Sequence, residues 1–198
     1  MAKKLLFASV ATLLLATHVA QSEPRYSIEG IIGKADQINS GNGLPTISAY
    51  ESSKGIRTTA MLSNNIALEI AYFDFGEAAE SYIDSFSDTI TDTLDTNSLN
   101  VGLQGAFGIS PVVSLTGRVG LALWEFEFSE TDSGFPGQIY RDDDQGVDAY
   151  YGVGMQFDVS PTVRLSLDYT VLDFSPKIGA VSTDHEIENL SLSAGIRF

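Results

Sequence analysis

The side chains of this sequence that could do chemistry are few. His185 is the only histidine beyond the first 22 residues, with Ser182 three positions before it and Glu186 and Glu188 close after it. A serine, a histidine and an acid are the parts of a hydrolytic triad, in which the histidine takes the proton of the hydroxyl. A lone histidine in a polar connection is more commonly solvated, and the sequence has no G-x-S-x-G motif or phosphate-binding loop. We therefore predict no catalytic residue, no cofactor-binding residue and no cofactor.

The acidic run over residues 142–148 is the second candidate. It carries Asp142, Asp143, Asp144 and Asp148, and carboxylates are ligands that calcium prefers. The run lacks the spacing and the terminal bidentate glutamate of an EF-hand loop. We interpret it as a solvated surface loop, with weak divalent-cation binding as the alternative, and we predict no metal ligand.

The first 22 residues resemble a cleavable export signal. Lys3 and Lys4 precede an apolar run over residues 5–17, and Ala20 and Ser22 form a small-residue cleavage pattern. These are the three parts of a secretory signal peptide, and the run is too short for a membrane-spanning helix. We expect residues 1–22 to be removed, which leaves 23–198 as one domain.

The composition of the remaining chain is acidic and without cysteine. The sequence has 26 acids and 11 bases, and removing Lys3 and Lys4 leaves 26 − 9 = 17 negative charges in excess. That balance argues against nucleic acid as a partner, because nucleic-acid-binding surfaces are basic. The acids concentrate in two stretches, six in 77–95 and six in 130–148. A domain without disulfides in an oxidising compartment needs another means of closing its core, and a closed sheet is one.

Alternation of apolar and polar residues recurs along the whole chain. A period of two is typical of β-strands with two different faces. One face of these segments is apolar, and the other mixes glycine, serine and threonine with a few full charges, which a dry sandwich core would not accept. Apolar residues facing out and small or polar ones facing in are typical of a barrel in lipid. Eight strands are predicted, near residues 25–35, 55–63, 66–76, 98–109, 112–127, 147–159, 162–174 and 187–198.

The connections alternate between short and long. Asn64-Asn65, Ser110-Pro111 and Ser160-Pro161 are tight turn signals. The other four connections, predicted as loops, cover residues 36–54, 77–97, 128–146 and 175–186. Short turns on one side and long loops on the other are typical of outer-membrane barrels, with the short side in the periplasm.

Five segments carry a resemblance to a known family. They are residues 67–76, 98–103, 117–124, 148–154 and the terminal strand 190–198, which are rich in glycine and aromatic residues. In order and number they resemble the eight-stranded transmembrane domain of the outer membrane protein A and X group, in the outer membrane β-barrel family. The resemblance implies an all-β, eight-stranded antiparallel up-and-down transmembrane β-barrel, monomeric, in the bacterial outer membrane. Larger members continue into a peptidoglycan-binding domain, which we do not expect here.

Strand parity assigns three sets of side chains. Charged residues on the inward face should pair in the narrow lumen, because an isolated buried charge is costly. Outward aromatics should form girdles at the two membrane surfaces. The outward apolar residues of the last strand should be the signal read by the assembly machinery. The inward charges are Glu29, Arg57, Glu69, Arg118, Arg164, Asp168 and Arg197; the periplasmic girdle is Phe107, Phe157 and Phe198; the external girdle is Tyr72, Tyr151 and Tyr169; the assembly signal is Leu190, Leu192, Ile196 and Phe198.

Three functions are compatible with such a barrel. The first is a rigid scaffold that displays acidic loops for envelope integrity, adhesion or another surface interaction. The second is a narrow pore of low conductance, opened when the inward charges re-pair. The third, an enzyme that modifies lipid A, is disfavoured because the related deacylases place serine two residues after histidine, where this chain has Ile187. Expected partners are outer-membrane lipid, lipopolysaccharide with or without bridging cations, periplasmic chaperones and the assembly machinery.

Overall fold

The computed structural model describes residues 25–41, 46–179 and 181–198. The expected signal segment, residues 1–22, lies outside these ranges. Within these ranges, the chain forms eight long strands and one small hairpin of two strands with two residues each. The strands are β1 Tyr26–Ser40, β2 Ile47–Ser63, β3 Ile66–Ile83, β4 Thr89–Ser110, β5 Val113–Asp132, β6 Ile139–Asp158, β7 Val163–Phe174, β8 Lys177–Ile178, β9 Val181–Ser182 and β10 Asp184–Arg197.

The eight long strands close into a barrel. Each pairs antiparallel with its sequence neighbour, and β10 closes the ring between β7 and β1, while β8 and β9 pair only with each other. At the closing seam Tyr26 and Phe198 exchange two backbone hydrogen bonds of 3.0 Å, and their rings stack with centroids 6.1 Å apart. The predicted eight-stranded antiparallel fold is confirmed. In the described ranges no helix is long and apolar enough to cross a membrane.

The strands are longer than predicted, and three of the four predicted loops are largely strand. β4 runs for 22 residues and β5 and β6 for 20 each, whereas a tilted strand crosses a bilayer in about 9–11 residues. Predicted loops 36–54, 77–97 and 128–146 are therefore wrong over most of their length. The turns that replace the latter two cover only residues 84–88 and 133–138. Predicted loop 175–186 holds the β8–β9 hairpin and the start of β10.

The outward face of β2 to β6 changes polarity between two adjacent rows of paired residues. Across β2 to β6 the paired outward residues Ile56, Tyr72, Leu99, Leu123 and Val147 form an apolar row. The next row, two residues further from the tight turns, is polar throughout. It consists of Lys54, Asp74, Asn97, Glu125 and Gln145. Apolar side chains below this boundary suit lipid, and charged ones above it suit water.

The inward face changes in the opposite sense. Below the boundary it is polar, and above it the lumen contains a cluster of buried apolar and aromatic side chains. Because the short turns are expected in the periplasm, we call the part above the boundary the extracellular extension. Its interior is largely apolar and aromatic, apart from carboxylates such as Asp92 near its open end, and its exterior is acidic. A water-soluble barrel has the same overall arrangement. This explains why the predicted loops are strands: their alternation continues, but with the apolar residues facing in.

Candidate functional site

The membrane half of the lumen holds a cluster of five charged side chains from five strands. Arg57 on β2 lies within 3.3 Å of Glu29, 3.3 Å of Glu69 and 2.8 Å of Asp168. Arg118 on β5 lies 2.9 Å from Glu69 and 2.5 Å from Asp168. All five are 3 % exposed or less. Because the contacts reach across the barrel from β1 to β5 and β7, the cluster fills the lumen rather than lining it.

Two of the predicted inward charges lie elsewhere. Arg164 and Arg197 form a separate group near the periplasmic turns, where both contact Asp158, at 2.8 and 2.9 Å. Arg197 also donates to the Ser160 carbonyl at 3.0 Å. The prediction of one ladder of seven charges is therefore wrong for these two, because parity gives the face of a residue but not its height in the lumen. Their side chains are partly exposed, at 17 % and 16 %.

Tyr150 belongs to the central cluster although it was not predicted there. Its hydroxyl donates to Glu69 at 3.1 Å, and the side chain is 1 % exposed. Two glycines make room for the ring: a Cβ at Gly102 would come within 2.6 Å of the Tyr150 hydroxyl, and one at Gly120 within 2.7 Å of the ring. Inward glycines beside one bulky inward residue are the sequence signal that could have identified it.

Above the charges lies an aromatic layer that contains His185. The ring of Trp124 stacks on Phe174 at 4.4 Å, and His185 lies 4.9 Å from Phe174 and 5.3 Å from Phe126. His185 is completely buried on β10, and Asn39 Nδ2 lies 3.2 Å from its Nδ1. Burial lowers the pKa of His185 to about 3.

The interpretation of His185 as a solvated loop residue is therefore wrong. Its neighbours are apolar rings and an amide, which hold a neutral imidazole in place. No catalytic role follows from this arrangement, and the prediction that the chain has no catalytic residue stays a prediction.

The acidic run lies on β6 rather than in a loop. Asp144 Oδ2 accepts a hydrogen bond from the Lys177 backbone at 2.8 Å, and Asp142 Oδ2 accepts one from the Gly179 backbone. These contacts hold the β8–β9 hairpin against the extension. Among residues 25–41, 46–179 and 181–198, no three acidic or histidine side chains converge as metal ligands do.

A cavity of about 280 Å³ lies at the extracellular mouth of the barrel. It was not predicted, because its walls come from segments read as loops. Three aromatic rings, two carboxylates, an amide and two isoleucines line it. They are Tyr82, Phe128, Tyr140, Asp92, Glu130, Asn39, Ile47 and Ile178.

The predicted girdle and assembly residues all lie on the outer surface. Each is at least 36 % exposed, and Tyr72 stands in the apolar row next to the boundary, with its hydroxyl donating to Asn97 at 2.9 Å. Phe107 pairs with Leu115 and Phe157 with Leu165, near the tight turns. Their roles in anchoring and assembly stay predictions. The exposed set is Tyr72, Phe107, Tyr151, Phe157, Tyr169, Leu190, Leu192, Ile196 and Phe198.

A closed barrel with an apolar outer belt and a charge-filled lumen defines an integral outer-membrane β-barrel protein. Sequence comparison agrees with this class. The family described as outer membrane protein beta-barrel domain matches residues 5–198, and the chain belongs to that family. Its location is the bacterial outer membrane. No curated protein matches the sequence.

Solved structures of outer-membrane proteins share the fold. Ail, the attachment invasion locus protein of Yersinia pestis, is 20% identical with a TM-score of 0.55, over 89% of this chain and 100% of that one. Neisserial surface protein A is 15% identical with a TM-score of 0.59, over 87% and 97%. OprG from Pseudomonas aeruginosa is 10% identical with a TM-score of 0.62, over 89% and 96%. At these identities the likeness concerns the fold alone.

Proposed function

We propose that this outer-membrane barrel is a closed scaffold whose extracellular extension presents an acidic surface for interaction outside the cell. One observation carries the proposal: the lumen is filled at two levels while the outer face of the extension is charged. Arg57 and Arg118 with their three carboxylates fill the membrane half, and the layer around Trp124 and Phe174 fills the extension. Such a filled barrel supports a role for its surface rather than for its interior.

The chemistry of the extension supports a basic partner. Its outward residues include Glu125 and Glu127 on β5, and Asp95 on β4, which pairs directly with Glu127. Acids concentrated on one face attract a surface of opposite charge and speed its association, and salt weakens both effects. A basic protein surface or a basic polymer is therefore the proposed class of partner.

Adhesion of cells that express the protein is the direct test. We expect them to adhere to surfaces coated with a basic polymer better than to neutral ones, and to lose the difference in 0.5 M salt, where charges are screened over about 4 Å. The triple variant D95N/E125Q/E127Q should lose most of the adhesion. The control is H185N, which changes a side chain inside the extension and leaves its outer surface unchanged. An equal loss of adhesion in cells with this variant would contradict the proposal.

Conductance measurements distinguish the closed scaffold from the alternative, which is a narrow pore. The closed scaffold predicts no steady current steps from purified protein in planar bilayers. Regular steps in the wild-type protein would instead favour the pore, with the charges around Arg57 as its gate.

A further inference from the structure

The cavity at the extracellular mouth combines aromatic walls with a negative charge. Phe128 on β5 and Tyr140 on β6 form one side, with ring centroids 6.2 Å apart and planes at 63°. Tyr82 on β3 supplies a third ring, and Asp92 and Glu130 supply carboxylates. Glu130 pairs in register with both Asp92 and Tyr140, so the carboxylates and the ring stand in one row across β4, β5 and β6.

Asp92 is the unusual member of this row. It is 3 % exposed, and its Oδ1 accepts no hydrogen bond from any residue that the structure describes. None of the residues lining the cavity is a lysine or an arginine in the described part of the chain. Burial, together with the charges of Glu130 and Glu80, raises the pKa of Asp92 to about 6. A buried carboxylate without a partner is costly, so the cavity offers a site that a cation would complete.

We propose that the mouth cavity binds a small free alkylammonium ion, held by the Asp92 carboxylate and the faces of Tyr82, Phe128 and Tyr140. Aromatic faces attract ammonium groups through the ring quadrupole, and they favour methylated ammonium ions, which shed water easily. A bare metal ion would need several oxygen ligands at close range, and the described residues do not converge in that way.

The size of the cavity selects among such ions. About 280 Å³ holds a choline-sized ligand, whereas drug-sized ligands use pockets of about 300–1,000 Å³. The site is independent of the acidic outer surface, since its groups face the lumen. The adhesion proposal and the alkylammonium proposal can therefore fail independently of each other.

Calorimetric titration of the protein, refolded in lipid vesicles, tests the site. The probes are choline chloride and its neutral isostere 3,3-dimethylbutan-1-ol, each at pH 7.5 and constant ionic strength. We expect choline to bind at least tenfold more tightly than the isostere, because the shapes match and only the charge differs. Equal binding of the two, or no binding of choline up to 50 mM, would overturn the proposal.

Two matched substitutions locate the binding. D92N should weaken choline binding about tenfold or more, whereas D95N, three positions along β4 on the outer face, should leave it unchanged. Y140L should also weaken it, which a purely electrostatic effect would not require. Equal losses in D92N and D95N would refute a site in the lumen. A folded barrel migrates differently on a gel before and after heating, so a variant that keeps this difference is folded. E130Q provides a second lumenal variant if D92N does not fold.

Discussion

The central charge cluster makes the sharpest prediction, which is that Arg118→Ala destabilises the folded barrel strongly. Arg118 is 3 % exposed and contacts Glu69 and Asp168. The cluster has three carboxylates and two guanidinium groups, a formal charge of −1, and the substitution changes it to −2. Breaking a buried ion pair by removing one partner costs about 3–5 kcal/mol, because the remaining charge is left uncompensated.

Arg164→Ala is the matched control. The residue also faces the lumen and contacts a carboxylate at 2.8 Å, but its side chain is 17 % exposed and Asp158 is 29 % exposed. Pairs that water reaches contribute about 0–1 kcal/mol. The same change of residue should therefore have a small effect near the periplasmic turns and a large one in the middle of the lumen.

Urea unfolding of the proteins in lipid vesicles measures the difference. The fraction folded is followed by the gel mobility of unheated samples and by the fluorescence of Trp124. The two costs differ by about 2–5 kcal/mol, so with a denaturant slope of about 1–3 kcal/mol/M Arg118→Ala should lower the midpoint by roughly 1–5 M relative to Arg164→Ala. Adding Asp168→Asn restores the charge of −1 and should recover part of the loss. Equal midpoints for the two arginine variants, or strictly additive effects of Arg118→Ala and Asp168→Asn, would refute a coupled buried cluster.

Three further predictions concern packing and titration. Gly120→Ala should cost about 1–3 kcal/mol, because its added Cβ would overpack the backbone of Val101 and Gly102 and the ring of Tyr150. Gly117→Ala, with nothing within 4 Å of its added Cβ, should be neutral in the same urea assay. The pKa of His185 is about 3 in the folded protein against its ordinary 6.5. The stability that its neutral form gives the extension is therefore full above pH 6.5 and is lost as pH falls towards 3. Hydrogen exchange of β10 should accelerate over that range, and His185→Phe should remove this pH dependence. The pKa of Asp92 is raised from 3.8 to about 6, so its ionisation destabilises the protein as pH rises through 6, and Asp92→Asn should raise the urea midpoint at pH 7.5 but not at pH 4.

The sequence was sufficient to predict the fold in the membrane half. There the environment reverses the usual rule, and alternation with glycine, serine and charges on one face identified the strands and their order. Parity also placed Glu29, Arg57, Glu69, Arg118 and Asp168 on the inner face, where the structure brings them together. Parity gave only the face, and these five residues meet because they lie at similar heights in a narrow lumen.

The extension could not be predicted by the same rule. In Trp124-Glu125-Phe126-Glu127-Phe128 the alternation continues, but its polarity is opposite to that of the preceding residues. The predicted strand 112–127 stops within this run, although β5 continues to Asp132. His185 is buried because Phe126 and Phe174, which are distant in sequence, pack against it. The strand register that brings these three residues together is set by the closure of the barrel.

The reversal of polarity also fixes how deep the barrel lies in the membrane. Sinking by one outward position, about 7 Å along the strands, would bring Lys54, Asp74 and Glu125 into lipid. Charged side chains on the lipid face cost up to about 2–4 kcal/mol each, depending on depth, so the row acts as a stop. β4 continues for eight residues beyond it, Thr89–Thr96, which at 3.3 Å per residue and the usual tilt is about 20 Å above the boundary. Asp92 lies five residues beyond Asn97 on β4, which by the same measure is about 12 Å above the boundary. The mouth cavity therefore opens outside the headgroup layer, where a dissolved ammonium ion reaches it without crossing lipid.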